Sequence, residues 1–347
     1  MVSNFKTLPV IDVSGLYSGA LDRRVAVAEE IGKAARDSGF FYIRGHHVGH
    51  EIRAKLLEET KAFFALALDQ KMQSYIGNSS NHSGYVPQGE EAFYGQKPDR
   101  KEAFDLSTDV PADDSEVLAG TTPMVGPVQW PQVPEFKAAA SEYYEEITKL
   151  SELLFRGFAL SLDLPEDYFK AYLRRPTSQL RLVHYPFIQE APADEPGIGA
   201  HTDYECFTVL LPTAPGLEVM NGDGEWIDAP PIEDAFVINI GDMLEAWTNG
   251  TFVATSHRVR KVQEERYSFP FFATCDYHTV VAPLPQFVTP ERPAKFTPLV
   301  SGDHLLAQTA MTFAYLKRRI QDGTFKLPDS SLALSSFGQE ARNRKAG

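Results

Sequence analysis

The spacing of apolar positions changes period along the chain, and each change marks an element. Over residues 21–36, apolar side chains recur at Leu21, Val25, Ala28, Ile31 and Ala35, the spacing of one helical face. Gly39 follows, where a helix end favours a residue without a Cβ penalty. Phe40, Phe41, Tyr42 and Ile43 form a short, continuously apolar run, the pattern of a buried strand. A β-rich run over residues 8–13, closed by Ser14 and Gly15, predicts the first strand. Helical spacing returns over residues 52–68, 134–162, 166–173 and 303–320, and the last of these ends in Lys317, Arg318 and Arg319, cations suited to a helix C-terminus. Between residues 179 and 273 the texture is β. Residues 180–185, 207–211, 236–240 and 267–272 are short strand-like runs separated by Pro, Gly and Asp, which predicts a sandwich or jelly roll.

Residues 76–134 follow neither period. They are rich in Gly, Pro, Ser and acidic residues, with Tyr85, Phe93, Tyr94 and Phe104 scattered among them. A long irregular stretch inside a compact protein is usually functional or disordered, and the interleaved aromatics favour an ordered segment covering a site. Tyr85 and Phe104 are its candidate substrate contacts, with plain loop packing as the alternative. The expected organisation is a mixed α/β region over 1–130 that packs on the core, a jelly-roll core with supporting helices over 131–322, and a polar tail over 323–347. No internal repeat is present.

Composition narrows the partners. The 347 residues are 43% hydrophobic and 12% aromatic, enough to bury a substantial core. The formal net charge of -14, with no local basic cluster, argues against nucleic acid and against an anionic membrane surface. A small-molecule partner is expected, with the chain a monomer or weak homo-oligomer. The two cysteines, Cys206 and Cys275, make neither a disulfide framework nor a thiolate zinc site and read as small buried hydrophobes in a reducing compartment. The start lacks a basic region followed by an apolar run, and no apolar stretch approaches the roughly 20 residues a bilayer requires. A cytoplasmic location is the expectation.

The candidate chemistry lies in the β region. In His201-Thr202-Asp203, strand alternation places two metal-ligand side chains on one face. With a third histidine from a distant strand, this is the facial triad of non-haem iron(II) oxygenases, and His257 is the natural third ligand. A lone His-x-Asp is common and most often structural. The added signal is Arg266-Tyr267-Ser268, where alternation again puts Arg266 and Ser268 on one face, a guanidinium fork beside a hydroxyl that suits a carboxylate. The apolar run after it implies that Arg266 is buried, and a buried arginine requires an anionic partner.

With these motifs the chain resembles the isopenicillin N synthase-like branch of the iron(II)/2-oxoglutarate oxygenases over nearly its whole length. The matching segments, in the family's order and spacing, are Leu8 to Asp12, Gly39 to Tyr42, Leu180 to Pro186, Gly199 to Asp203, Gly216 to Val219, Asn239 to Asp242, Ser256 to Val259 and Arg266 to Ser268. The resemblance implies a mainly β fold, a double-stranded β-helix (jelly roll) flanked by N-terminal and C-terminal helices. It implies His201, Asp203 and His257 as iron(II) ligands, and Arg266 with Ser268 as the clamp on the far carboxylate of 2-oxoglutarate. Tyr185 is expected to add a phenolic hydroxyl to that carboxylate, with a core role as the alternative. The family usually has Asn where this chain has Val183, which removes one polar contact. Phe272 and Tyr204 are candidate substrate contacts. The implied reaction consumes O2 and 2-oxoglutarate, releases succinate and CO2, and hydroxylates, desaturates or cyclises an amino-acid-like or specialised metabolite. The competing readings are a 2-oxoglutarate-independent oxidase of this fold, whose substrate itself ligates iron, and a non-catalytic binding protein.

Overall fold

The short alternating runs assemble into two main sheets. The computed structural model describes residues 2–92, 100–187, 197–261 and 264–328, so Phe93, Tyr94 and most of the polar tail lie outside the described residues. In spatial order the larger sheet is β1 (Val10–Asp12), β2 (Phe40–Arg44), β10 (Phe236–Ile240), β7 (Phe207–Pro212), β12 (Arg266–Ala273), β5 (Gln179–Tyr185), β4 (Glu102–Leu106) and β3 (Gly84–Val86). The smaller sheet is β6 (Ile198–His201), β11 (His257–Val259), β8 (Leu217–Met220) and β9 (Trp226–Asp228). Strand β1 joins β2 in parallel, and the other pairings within these two sheets are antiparallel. This is the jelly-roll core, mainly β with helices, that the sequence leads one to expect.

Helices cover the large sheet. Pro134–Ser161 begins with Pro, whose missing N–H would have no partner in a first turn anyway. It buries Phe136, Ala140, Tyr143, Ile147, Leu150, Leu154 and Phe158, one continuous stripe at three- and four-residue spacing. That stripe packs on helices Leu21–Asp37 and His50–Phe64 and touches β12. Gly39 sits at φ +67°, and a Cβ there would come within 2.1 Å of the Val253 carbonyl oxygen, so only glycine makes this turn into β2.

Several expectations need correction. The 76–134 stretch contributes β3 and β4 to the large sheet rather than forming only an irregular cover. Tyr85 and Phe104 point into the aromatic core, not the cavity. Phe104 sits 5.4 Å from the Phe63 ring and 5.1 Å from Phe136, and the Tyr85 ring lies 6.0 Å from Phe63 with its hydroxyl donating to Glu102. Residues 52–68 end as a helix at Phe64, and 166–173 form only a 3-10 turn at Tyr168–Tyr172. The expected 303–320 helix is two, Ser301–Thr312 and Ala314–Gln321, broken at Phe313 with φ -89° and ψ 129°. The break lets Phe313 pair with Glu91: Ala92 N donates to the Thr312 carbonyl and Ala314 N to that of Glu90. Tertiary hydrogen bonding outweighs local periodicity here.

Candidate active site

Strand β6 ends at His201, so Asp203 lies in the following turn rather than on the strand. The two still converge, because His201 pairs across with His257 of β11. His201 Nδ1 faces the Gly199 carbonyl at 2.8 Å and His257 Nδ1 faces that of Thr255 at 3.2 Å. A ring that donates from Nδ1 presents an unprotonated Nε2. Those Nε2 atoms lie 3.6 and 3.5 Å from Asp203 Oδ1, and one ligand atom from each residue falls within 4.8 Å of the others. The second Asp203 oxygen accepts from Thr208 Oγ1 and from Asn239 Nδ2, the latter at 2.7 Å, which leaves Oδ1 turned to the histidines.

The electrostatics match this geometry. Burial, then the neighbouring His257, push the His201 imidazole down to about 3, so it is a neutral ligand. Burial pushes Asp203 up, but the imidazoles and the Thr208 hydroxyl outweigh it and hold the carboxyl well below its usual range. Two imidazole nitrogens and one carboxylate, all buried, are a donor set for a divalent cation such as iron(II).

The triad opens onto a cavity of about 120 Å3. Arg266, Ser268, Pro270 and Phe272 of β12 line it at every second position, and so do Gln179, Arg181, Val183 and Tyr185 of β5. Alternation thus brings Arg266 and Ser268 to one wall, with Tyr185 directly opposite Arg266 in the register. Arg266 is 1% exposed and its guanidinium sits 4.7 Å over the Tyr185 ring. Its Nε donates to the Ala214 carbonyl at 3.3 Å, while Nη1 is buried with no partner among the described residues. An uncompensated buried cation is costly, so the chain holds a place here for an anion, as the far carboxylate of 2-oxoglutarate would supply. Val183 presents an apolar surface where the resembled family offers an amide.

Of the other expected contacts, Tyr204 and Phe272 line the cavity and Tyr85 and Phe104 do not. Several liners escaped the sequence reading. Gln179 and Arg181 could have been found by stepping back in twos from Tyr185. Glu91, Lys101 and the Phe313 break carry no comparable local signal. Glu205 also lines the cavity, where burial and then Asp203 push its carboxyl up to about 8.

Known proteins match this arrangement along most of the chain. A family model described as the 2OG-Fe(II) oxygenase superfamily matches residues 176–274, and one described as non-haem dioxygenase in morphine synthesis N-terminal matches residues 8–133. The homoarginine-6-hydroxylase 2-ODD-233 of Oryza sativa subsp. japonica is 35% identical over 332 residues, covering 90% of this chain and 99% of that one. A 2OG-Fe(II) oxygenase family protein from Caulobacter crescentus superposes with a TM-score of 0.76 at 28% identity, covering 92% of this chain and 99% of its own. The structure of JOX2 in complex with 2OG, Fe and JA gives 0.71 at 27% identity, covering 86% and 84%. The chain belongs to the 2OG-Fe(II) oxygenase superfamily. It is an iron(II)- and 2-oxoglutarate-dependent dioxygenase. Among the described residues, no helix is long and apolar enough to cross a membrane.

Proposed function

We propose that His201, Asp203 and His257 ligate the iron, that Arg266 with Ser268 and Tyr185 holds the far carboxylate of 2-oxoglutarate, and that Tyr204 and Phe272 wall the prime-substrate side. The observation that carries this reading is the buried, unpartnered Nη1 of Arg266 in the same cavity as a preformed His-Asp-His triad. Iron bound there, with 2-oxoglutarate and O2, supplies an oxidant for an unactivated C–H bond and releases succinate and CO2. The chain's own residues do the rest. Thr208 and Asn239 orient the carboxylate ligand, the Gly199 and Thr255 carbonyls fix the imidazole tautomers, and the apolar walls at Val183, Leu210 and Phe272 limit water.

The substrate is a small amino-acid-like molecule. Supporting this are the cavity's mixture of charged and apolar walls and relatives named homoarginine-6-hydroxylase. Within the superfamily, the chain is a member of the isopenicillin N synthase-like branch, supported by the ordered motifs from Leu8 through Ser268. The 1–130 region packs on a 131–322 catalytic core, followed by a tail over 323–347. The protein is cytoplasmic and monomeric or weakly self-associating, in keeping with its acidic charge and two buried thiols in a reducing compartment.

The test is metal content after anaerobic loading. The parent binds one equivalent of iron, and Asp203→Ala and His257→Ala lose it while keeping the parent's circular dichroism. Retention of iron by both variants would remove the ligand assignment.

A further inference from the structure

A buried cluster of charge outside the iron triad lines the same cavity. Arg181 of β5 makes a bidentate bond to Asp105, Nε to Oδ1 at 2.7 Å and Nη2 to Oδ2 at 2.8 Å. Its remaining Nη1 reaches both oxygens of Glu91, at 3.2 and 3.0 Å. The Lys101 ammonium meets Glu91 Oε2 at 2.9 Å. Glu91, Lys101 and Arg181 border the cavity, whereas Asp105 is fully buried behind them. Among these four described residues the two acids and two bases cancel, and the adjacent His82 is kept neutral by burial, at about 3.

Such a cluster is a poor way to stabilise a fold, because apolar side chains of similar volume usually do as well. Its placement on a ligand wall suits recognition instead. The wall is also held in place before any ligand arrives. Arg181 is fixed by Asp105, and Glu91 is anchored through its backbone bridge to Phe313. A ligand bearing a single charge would add a net charge to this buried cluster, whose Glu91 is already shared between Lys101 and Arg181. A ligand bearing both signs offers each member a partner and leaves the net charge of the wall at zero.

We propose that the Glu91–Lys101 ion pair is the substrate-reading element of this pocket, and that it selects the zwitterionic head of an α-amino acid, with Lys101 taking the carboxylate and Glu91 the ammonium. Arg181 is the positioning residue that holds Glu91. This deepens the amino-acid-like reading above and rests on it.

The experiment follows succinate release by the iron-loaded enzyme with 2-oxoglutarate, using L-homoarginine and the standard L-amino acids as probes. The most stimulating amino acid is then compared with its deaminated acid and its decarboxylated amine. The parent enzyme favours the intact amino acid over each truncated form by about thirtyfold or more in kcat/KM, the scale for a buried charge left unpaired. The preference over the decarboxylated amine disappears in Lys101→Met, and the preference over the deaminated acid disappears in Glu91→Gln. That crossover cannot arise from general misfolding, and the comparison on the parent needs no variant. Stimulation by amino acids with equal use of the truncated forms overturns the assignment of this wall and leaves the amino-acid reading intact. No stimulation by any amino acid, although 2-oxoglutarate binds, overturns both.

Discussion

Arg266 concentrates the account at the scale of single residues. Its burial pushes the guanidinium down while the Tyr185 phenol pulls the other way, and its Nη1 has no acceptor among the described residues. An anionic ligand completes it, and a charge-assisted bond to a carboxylate is worth about 1.5–3 kcal/mol. Arg266→Ala therefore raises the KM for 2-oxoglutarate by about tenfold to hundredfold in a succinate-release assay. Arg266→Lys recovers only part of that, because an ammonium lacks the planar fork. An unchanged KM in Arg266→Ala would contradict the clamp. Asn239 acts one step further out, donating to the Asp203 oxygen that does not face the histidines. Its replacement by Ala lowers iron affinity by about tenfold or more, read by competition with a chelator. Equal affinity in the two proteins would mean that Asp203 needs no such orientation.

At the scale of elements, what could be read from the sequence was set by what alternation and helical spacing encode. Both are local rules, so they located the Arg266–Ser268 face of β12 and the Pro134–Ser161 helix, whereas His257 as the partner of His201 came from the resemblance and Asp203 lies just past the strand on which alternation placed it. They failed where long-range contacts decide. Nothing near Phe313 in the sequence shows that a helix must break there to pair with Glu91, more than two hundred residues earlier. Scattered aromatics in the 76–134 stretch looked like a pocket cover, yet β3 and β4 turn Tyr85 and Phe104 onto Phe63 and Phe136. Phe104→Ala should accordingly destabilise the fold by about 3–5 kcal/mol in denaturant titrations. The ratio of kcat/KM between two substrates should stay as in the parent. A changed ratio with little loss of stability would restore Phe104 to the cavity.

At the scale of the whole molecule, charge is arranged in buried, mutually satisfied sets beneath an acidic exterior. His184 of β5 lies between Glu102 of β4, at 2.8 Å, and Glu265 beside β12, and its ring stacks on Tyr267. Burial pushes this imidazole down, but the two carboxylates outweigh it and raise it above its ordinary 6.5. The folded state therefore binds the proton more tightly than the unfolded chain. The stabilisation is complete below about pH 6.5 and is lost as pH rises through the higher folded value. Burial pushes both carboxyls up, but His184, Lys71 and Tyr85 hold Glu102 low and the Phe187 backbone N–H with His184 holds Glu265 low, so their contribution is present above the ordinary glutamate range and fades on acidification. Chemical unfolding midpoints should fall in the parent as pH rises above about 6.5, and by less in His184→Gln. Parallel profiles would rule out His184 as the source.

The most direct test of the central claim, one cavity holding both iron and 2-oxoglutarate, is an anaerobic titration of the iron(II)-loaded protein with 2-oxoglutarate. The expected result is a weak visible charge-transfer band that saturates at one equivalent, with a much higher concentration requirement for Arg266→Ala. Iron binding without any such band, or a band that saturates identically in Arg266→Ala, would contradict it.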